Sequence, residues 1–149
     1  MNVALVIEES KWRARRGIAA RLRKAAETAL AHEGARGAAL TVLLAGDGKL
    51  RALNRAFRGK DRPTNVLSFP ARAPDYLGDI ALAYGVTARE ARERRTSFAD
   101  HAAHLVVHGV LHLLGYDHES DRDARVMEPK EVEILGGLGV RDPYGRCGS

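Results

Sequence analysis

Three histidines fall within one short stretch, His108-Gly-Val-Leu-His112-Leu-Leu-Gly115-Tyr-Asp-His118. On a helix, His108 and His112 would lie about 40° apart around the axis and about 6 Å apart along it. Gly115 would let the chain leave that helix through a left-handed cap. Tyr116 and Asp117 then make the return, so that His118 points back at the other two. Three imidazoles converging in this way form a three-ligand metal site with one coordination position open, which is the catalytic arrangement rather than the closed structural one. The bland alternative is three hydrogen-bonded histidines on a buried helix. A lone histidine would favour it; three at this spacing, with this glycine, favour ligands.

The spacing matches the metalloprotease pattern H-E-x-x-H-x-x-G-x-x-H at every position but one. Gly109 stands where those enzymes carry the glutamate that serves as general base. Three neutral imidazoles around a dication, with no ligand carboxylate, leave the charge uncompensated. Such a site favours an anionic substrate such as a phosphodiester. A divalent metal also lowers the pKa of the water it binds toward 7, so hydroxide is available without a separate base.

Candidate phosphate contacts come from the polar loop that opens at Arg58-Gly-Lys60-Asp-Arg62. A guanidinium at Arg58 can hold two phosphate oxygens and offset charge in a phosphoryl transition state. Lys60 and Arg62 are supporting candidates for substrate-backbone contacts. The bland reading of all three is a loop in solvent. His101 and His104 share the helical stripe of His108 and His112, and packing or surface roles suit them better than ligation. Asp79 and Asp117 could orient a ligand imidazole, but an aspartate beside a turn is more often a local cap. Ser68 and Thr64 could donate to phosphate, though a local hydrogen bond is the simpler expectation.

These residues need elements to hold them. Val3–Glu8 reads as a first strand and Leu40–Ala45 as a second. Between them a long basic amphipathic helix is expected from Lys11 to about Glu33, capped by Ser10 and ended by Gly34 and Gly37. Its polar face carries Arg13, Arg15, Arg16, Arg21, Arg23 and Lys24, either a solvated face or a nucleic-acid surface. A long helix between two strands makes them parallel neighbours. Asp47 is a candidate cap for a helix from Lys49 to about Arg58.

Val66–Phe69 is a third short strand, which Pro70 ends and marks as close to a sheet edge. Leu77–Ala83 is a fourth, joined closely enough to be its antiparallel partner. Thr87-Ala-Arg-Glu90 has the form of a capping box opening a helix to about Arg95. Ser97 opens another, to about Leu114, apolar nearly all round and therefore buried. Ser120 is a candidate cap for a last helix, which Pro129 should kink or split and Gly136-Gly137 should stop. The expectation is one α+β domain over residues 1–149: a small mixed four-stranded β-sheet covered by helices, with a buried central helix carrying the metal ligands.

The bulk properties agree. A chain of 149 residues is long enough for one real core. A net charge of +5 permits a polyanionic partner without requiring one. Cys147 is the only cysteine, so no internal disulfide forms and a reducing compartment is expected. No apolar run approaches a membrane span, and Met1-Asn-Val-Ala-Leu-Val-Ile-Glu lacks the basic start of a signal peptide. A cytoplasmic protein with no membrane partner is expected.

Three motifs in order carry a resemblance: Lys60-Asp-x-Pro-Thr-Asn-Val-Leu-Ser-Phe-Pro70, Leu77-Gly-Asp-Ile80 and His108-Gly-x-Leu-His-Leu-Leu-Gly-Tyr-Asp-His118. Together they resemble the bacterial YbeY family from about Leu53 to Tyr144. The resemblance implies a zinc-dependent, single-strand-specific endoribonuclease acting in 16S rRNA 3′-end maturation and ribosome quality control. Its partners would be single-stranded RNA, rRNA in particular, and the ribosome or its small subunit. It implies His108, His112 and His118 as ligands of one zinc ion and as catalytic residues, with Arg58 as the family's functional arginine. Phe57 stands where a tyrosine is usual. Two other readings remain: a non-catalytic ribosome-assembly factor with a structural metal, and a metalloprotease-like hydrolase, against which Gly109 argues.

Overall fold

A run of alternating or continuous apolar residues becomes a strand wherever the chain can bury it, and four such runs do so here. The computed structural model describes residues 2–116 and 121–144. Its strands are β1 (Val3–Ile7), β2 (Leu40–Ala45), β3 (Val66–Ala73) and β4 (Tyr76–Ala83). They form one sheet in the order β1-β2-β4-β3. The β1–β2 pair is parallel and the β3–β4 pair antiparallel, as the connection lengths imply, and β2 also pairs with β4 in parallel. The fold is therefore α+β with a mixed sheet. Strand β3 runs past Pro70 to Ala73, with a register irregularity between those two residues. Proline is tolerated because β3 is an edge strand.

The pleat sorts the side chains onto two faces. Leu40, Val42 and Leu44 of β2, with Ile80 and Leu82 of β4, join the larger core cluster. Ala45, Leu67, Ala81 and Ala83, with half-buried Leu43 and Phe69, join a smaller cluster on the other face. Gly78 is where the hairpin strands crowd most: its φ is +141°, and a Cβ there would lie 2.2 Å from the carbonyl oxygen of Phe69.

The first helix differs from expectation. Instead of one helix over residues 11–33, a short 3-10 turn spans Ser10–Ala14 and an α-helix, α1, spans Ile18–His32. The break follows from Trp12. Its side chain is fully buried, donates from Nε1 to the Ala45 carbonyl at 2.9 Å, and meets Tyr84 and Phe98 edge-on. A helix continuous through residue 17 could not place that ring and keep the α1 stripe inward; Gly17, at φ +72°, supplies the corner. Glu9, rather than Ser10, caps the turn by accepting from the Lys11 amide. Part of the basic face is used internally. Arg15 lies over the Phe98 ring at 4.1 Å, Arg21 pairs with Asp100, and Arg23 donates to the Val3 carbonyl.

Helix α2 spans Asp47–Arg58 and packs on the smaller cluster through Leu50 and Leu53. Asp47 is its first residue rather than its cap, because the Asp47 carboxylate accepts from the Val86 amide of α3 at 3.0 Å. Helix α3 spans Tyr84–Glu93, starting three residues before the expected capping box. Thr87 instead donates back to the Ala83 carbonyl, and Glu90 turns to Asn65 and His101. Helix α4 spans Phe98–Leu113, with Ser97 accepting from the Asp100 amide as expected. It is the central helix, touching α1, α3, α5, β3 and β4. Helix α5 spans Asp121–Gly137 and stays one helix through Pro129. The start expected at Ser120 lies outside the described residues. No described helix is long and apolar enough to cross a membrane.

Candidate functional site

Helix α4 meets the sheet through a residue without a side chain. A Cβ on Gly109 would lie 2.9 Å from Cγ2 of Ile80 and 3.1 Å from its Cδ1. The Gly109 carbonyl also accepts from Ser68 Oγ of β3 at 3.3 Å. Ser68 thus bonds a helix carbonyl 41 residues away rather than the local partner that was the simpler expectation. The close approach leaves no room for the glutamate of the metalloprotease pattern, so that base is excluded sterically as well as by composition.

With Gly109 turned to the sheet, the neighbouring stripe of α4 carries His104, His108 and His112. The His108 and His112 rings are 4.7 Å apart between centroids, inclined at 62°. Two imidazoles bound to one tetrahedral ion at about 2.1 Å per bond bring their ring centres to about 5 Å, so the spacing fits a shared metal. The fit also holds for exposure. The His108 side chain is 22% exposed and His112 is half-buried, whereas His101 and His104 lie deep in the core. His118 lies outside the described residues. Among the described residues no cluster of three potential ligands stands close enough to hold an ion.

Glu131 of α5 is the residue that sequence reasoning missed. Its side chain is completely buried. One carboxylate oxygen lies 2.7 Å from His108 Nδ1 and the other 3.0 Å from His104 Nε2. The Tyr144 hydroxyl donates to the oxygen shared with His104. Burial alone would raise the Glu131 pKa, but the bonds from His104, His108 and Tyr144 outweigh it and hold the carboxyl at about 2. The same setting, burial first and then the adjacent carboxylate, pushes the Tyr144 hydroxyl up. Burial likewise lowers the His104 pKa, against the pull of Glu131. A carboxylate only accepts, so the proton between Glu131 and His108 belongs to Nδ1. The lone pair of His108 then sits on Nε2, the nitrogen a metal would use. A signal existed in the sequence: Glu131 falls on the stripe of Met127, Ile134 and Leu135, where an apolar residue belongs.

Other candidates take structural places. His101 Nε2 lies 2.8 Å from Glu90, which also accepts from Asn65 at 3.0 Å. Asp79 receives the Tyr76 hydroxyl on β4 and reaches neither described ligand. Asp117 lies outside the described residues.

Arg58, Lys60 and Arg62 are exposed at the end of α2 and in the loop after it. Asn54 pins that loop: its carbonyl accepts from the Lys60 amide and its side chain donates to the Arg62 carbonyl at 2.9 Å. Helix α2 covers the sheet face opposite α4, so the structure does not bring Arg58 into contact with His108 or His112. Strand β3 is where both sides approach. Phe57 meets Phe69 from one face, and Gly109 meets Ser68, the preceding residue, from the other.

Comparison with known proteins gives one consistent answer. The profile of the family described as "Endoribonuclease YbeY" matches residues 6–139. A protein of that name from Rhodopseudomonas palustris strain HaA2 is 46% identical over 155 residues, covering 94% of this chain and 80% of its own. One from Azorhizobium caulinodans is 43% identical over 97% of this chain and 96% of its own. One from Chelativorans is 54% identical over 72% of this chain and 70% of its own. A Thermotoga maritima protein whose structure was determined in solution has the same fold, with a TM-score of 0.57 at 25% identity over 99% of both chains. The motifs, the mixed sheet and these relatives agree, and the chain belongs to the YbeY endoribonuclease family.

Proposed function

We propose that the protein is a zinc-dependent, single-strand-specific endoribonuclease of the cytoplasm, acting on rRNA in 16S 3′-end maturation and ribosome quality control. The observation that carries the reading is the pair His108 and His112, with His108 held in one tautomer by a buried carboxylate. His108, His112 and His118 would hold the ion. A bound zinc ion would supply Lewis acidity toward a phosphoryl oxygen and would make a nearby water more acidic.

The chain's own residues do the rest. Glu131 keeps the His108 proton on Nδ1 and the ring turned outward, and His104 and Tyr144 fix Glu131 from behind. The buried Glu131 carboxylate would offset one unit of a bound dication's charge and leave the site net positive, so a phosphodiester would still be attracted. Arg58 would hold phosphate oxygens, with Lys60 and Arg62 along the RNA backbone. Because α2 and α4 lie on opposite faces of the sheet, an RNA strand crossing the outer edge of β3 would meet both. An unpaired strand makes that turn easily and a stiff duplex does not, which supports single-strand specificity.

The test is incubation of zinc-loaded protein with an end-labelled RNA, single-stranded or annealed to its complement. Cleavage of the single strand with the duplex spared is expected. No cleavage of either by zinc-loaded protein would overturn the reading. End-group analysis of the products then assigns the nucleophile: a 2′,3′-cyclic phosphate implicates the RNA 2′-OH, and its absence implicates water.

A further inference from the structure

Phe57 is the most exposed large hydrophobic side chain among the described residues, at 69%. It sits in the last turn of α2, next to Arg58 and before the left-handed Gly59 that ends the helix. The ring is not adrift. It meets half-buried Phe69 of β3 edge-on, centroids 5.3 Å apart and planes inclined at 65°. An edge-on contact braces the ring while leaving its faces open.

The surroundings decide what covers it. From Arg51 to Arg62 the sequence carries five cations and one carboxylate. That carboxylate, Asp61, is held by Arg51 at 2.8 Å. The side chains of Arg55, Arg58, Lys60 and Arg62 make no hydrogen bond or ion pair among the described residues. An apolar patch meant for another protein is depleted of charge at its centre. A braced aromatic ring in a segment with a large excess of cations has the composition of a single-strand nucleic-acid surface, in which bases stack on rings and phosphates meet cations.

We propose that Phe57 is a stacking platform for one unpaired base of a single-stranded RNA, with Arg55, Arg58 and Lys60 holding the flanking phosphates. The inference rests on the reading of the protein as a ribonuclease and goes further by assigning a base contact on the sheet face away from the histidines. Phe69 braces the ring from β3, and the bond from the Lys60 amide to the Asn54 carbonyl ties the loop back to α2.

The experiment measures binding of a fluorescein-labelled single-stranded RNA by anisotropy, in a His112→Ala background to suppress turnover. Phe57→Ala should weaken binding roughly 5- to 150-fold, the range for loss of one stacked base. Phe57→Trp should restore it. Its emission should be quenched by RNA, whereas that of the buried Trp12 should not change. The salt dependence of binding should be the same for Phe57→Ala as for its parent and shallower for Arg58→Ala, because only the arginine releases counterions. Equal RNA affinity with and without the ring would overturn the platform while leaving the ribonuclease reading intact, and would point to a protein partner for this patch. No binding of single-stranded RNA by the parent would overturn both.

Discussion

Glu131 shows how much a single residue can decide. A carboxylate with no solvent exposure is costly unless both oxygens meet donors, and here three side chains supply them. Groups that orient a metal-ligating imidazole typically matter by 10- to 100-fold in affinity. Glu131→Gln should therefore weaken zinc binding by roughly that factor, measured by competition with a chelating dye. Zinc affinity equal to that of the parent would show that Glu131 is only a core hydrogen-bond acceptor. The sequence showed the two described histidines, because helical spacing is a local property. It did not show Glu131's role, because that partner comes from 23 residues away on another helix. A charged residue on the stripe of Met127 and Leu135 was the available hint.

Between elements, the decisive contacts are a missing side chain and a shared carboxylate. Gly109 lets α4 settle on Ile80, and Gly109→Ala forces a Cβ to 2.9 Å from that side chain. A loss of about 1–3 kcal/mol is expected by denaturant unfolding, the usual range for overpacking. Combining it with Ile80→Ala should cost less than the sum of the two, since the clash then disappears. Strict additivity would mean that α4 does not rest on Ile80 as described.

Glu33 joins three helical regions. It follows α1, accepts from Tyr116 beyond α4 at 2.6 Å, and lies 3.4 Å from Lys130 of α5. Burial raises its pKa, but the bonds from Tyr116 and His32 and the charge of Lys130 prevail and lower it below 4.5. A lowered carboxylate pKa gives stability that is present above the unfolded value and lost as pH falls through the folded one. The parent should therefore lose melting temperature below about pH 4.5, and Glu33→Gln should flatten that loss; an unchanged acid limb would remove Glu33 from the account. Helix existence was readable at this scale, and so was the Ser97 start of α4, but the starts of α2 and α3 were not. Asp47 and Thr87 look like caps, yet one bonds Val86 from another helix and the other bonds backward to Ala83. Long-range partners outcompeted the local pattern.

At the scale of the molecule, strand pairing followed from connection lengths, and the parallel and antiparallel neighbours came out as expected. Which face each helix covers did not, since it depends on crossovers that no local pattern encodes. That is why Arg58 and the histidines, each visible in the sequence, turn out to flank the edge strand from opposite faces. The larger core cluster closes around Trp12, Leu22, Val106 and Leu111 without using His108 or His112. A chelator-treated protein should therefore keep a cooperative melting transition while losing RNA cleavage. Unfolding on metal removal would instead support a metal that only braces the fold. The central claim is that the α4 histidines hold the ion that cleaves RNA. Its most direct test is the cleavage rate of a labelled single-stranded RNA against added zinc, for the parent and for His112→Ala. The rate should saturate near one zinc per chain in the parent and stay at the no-enzyme level in the variant. Equal cleavage by the two proteins would contradict it.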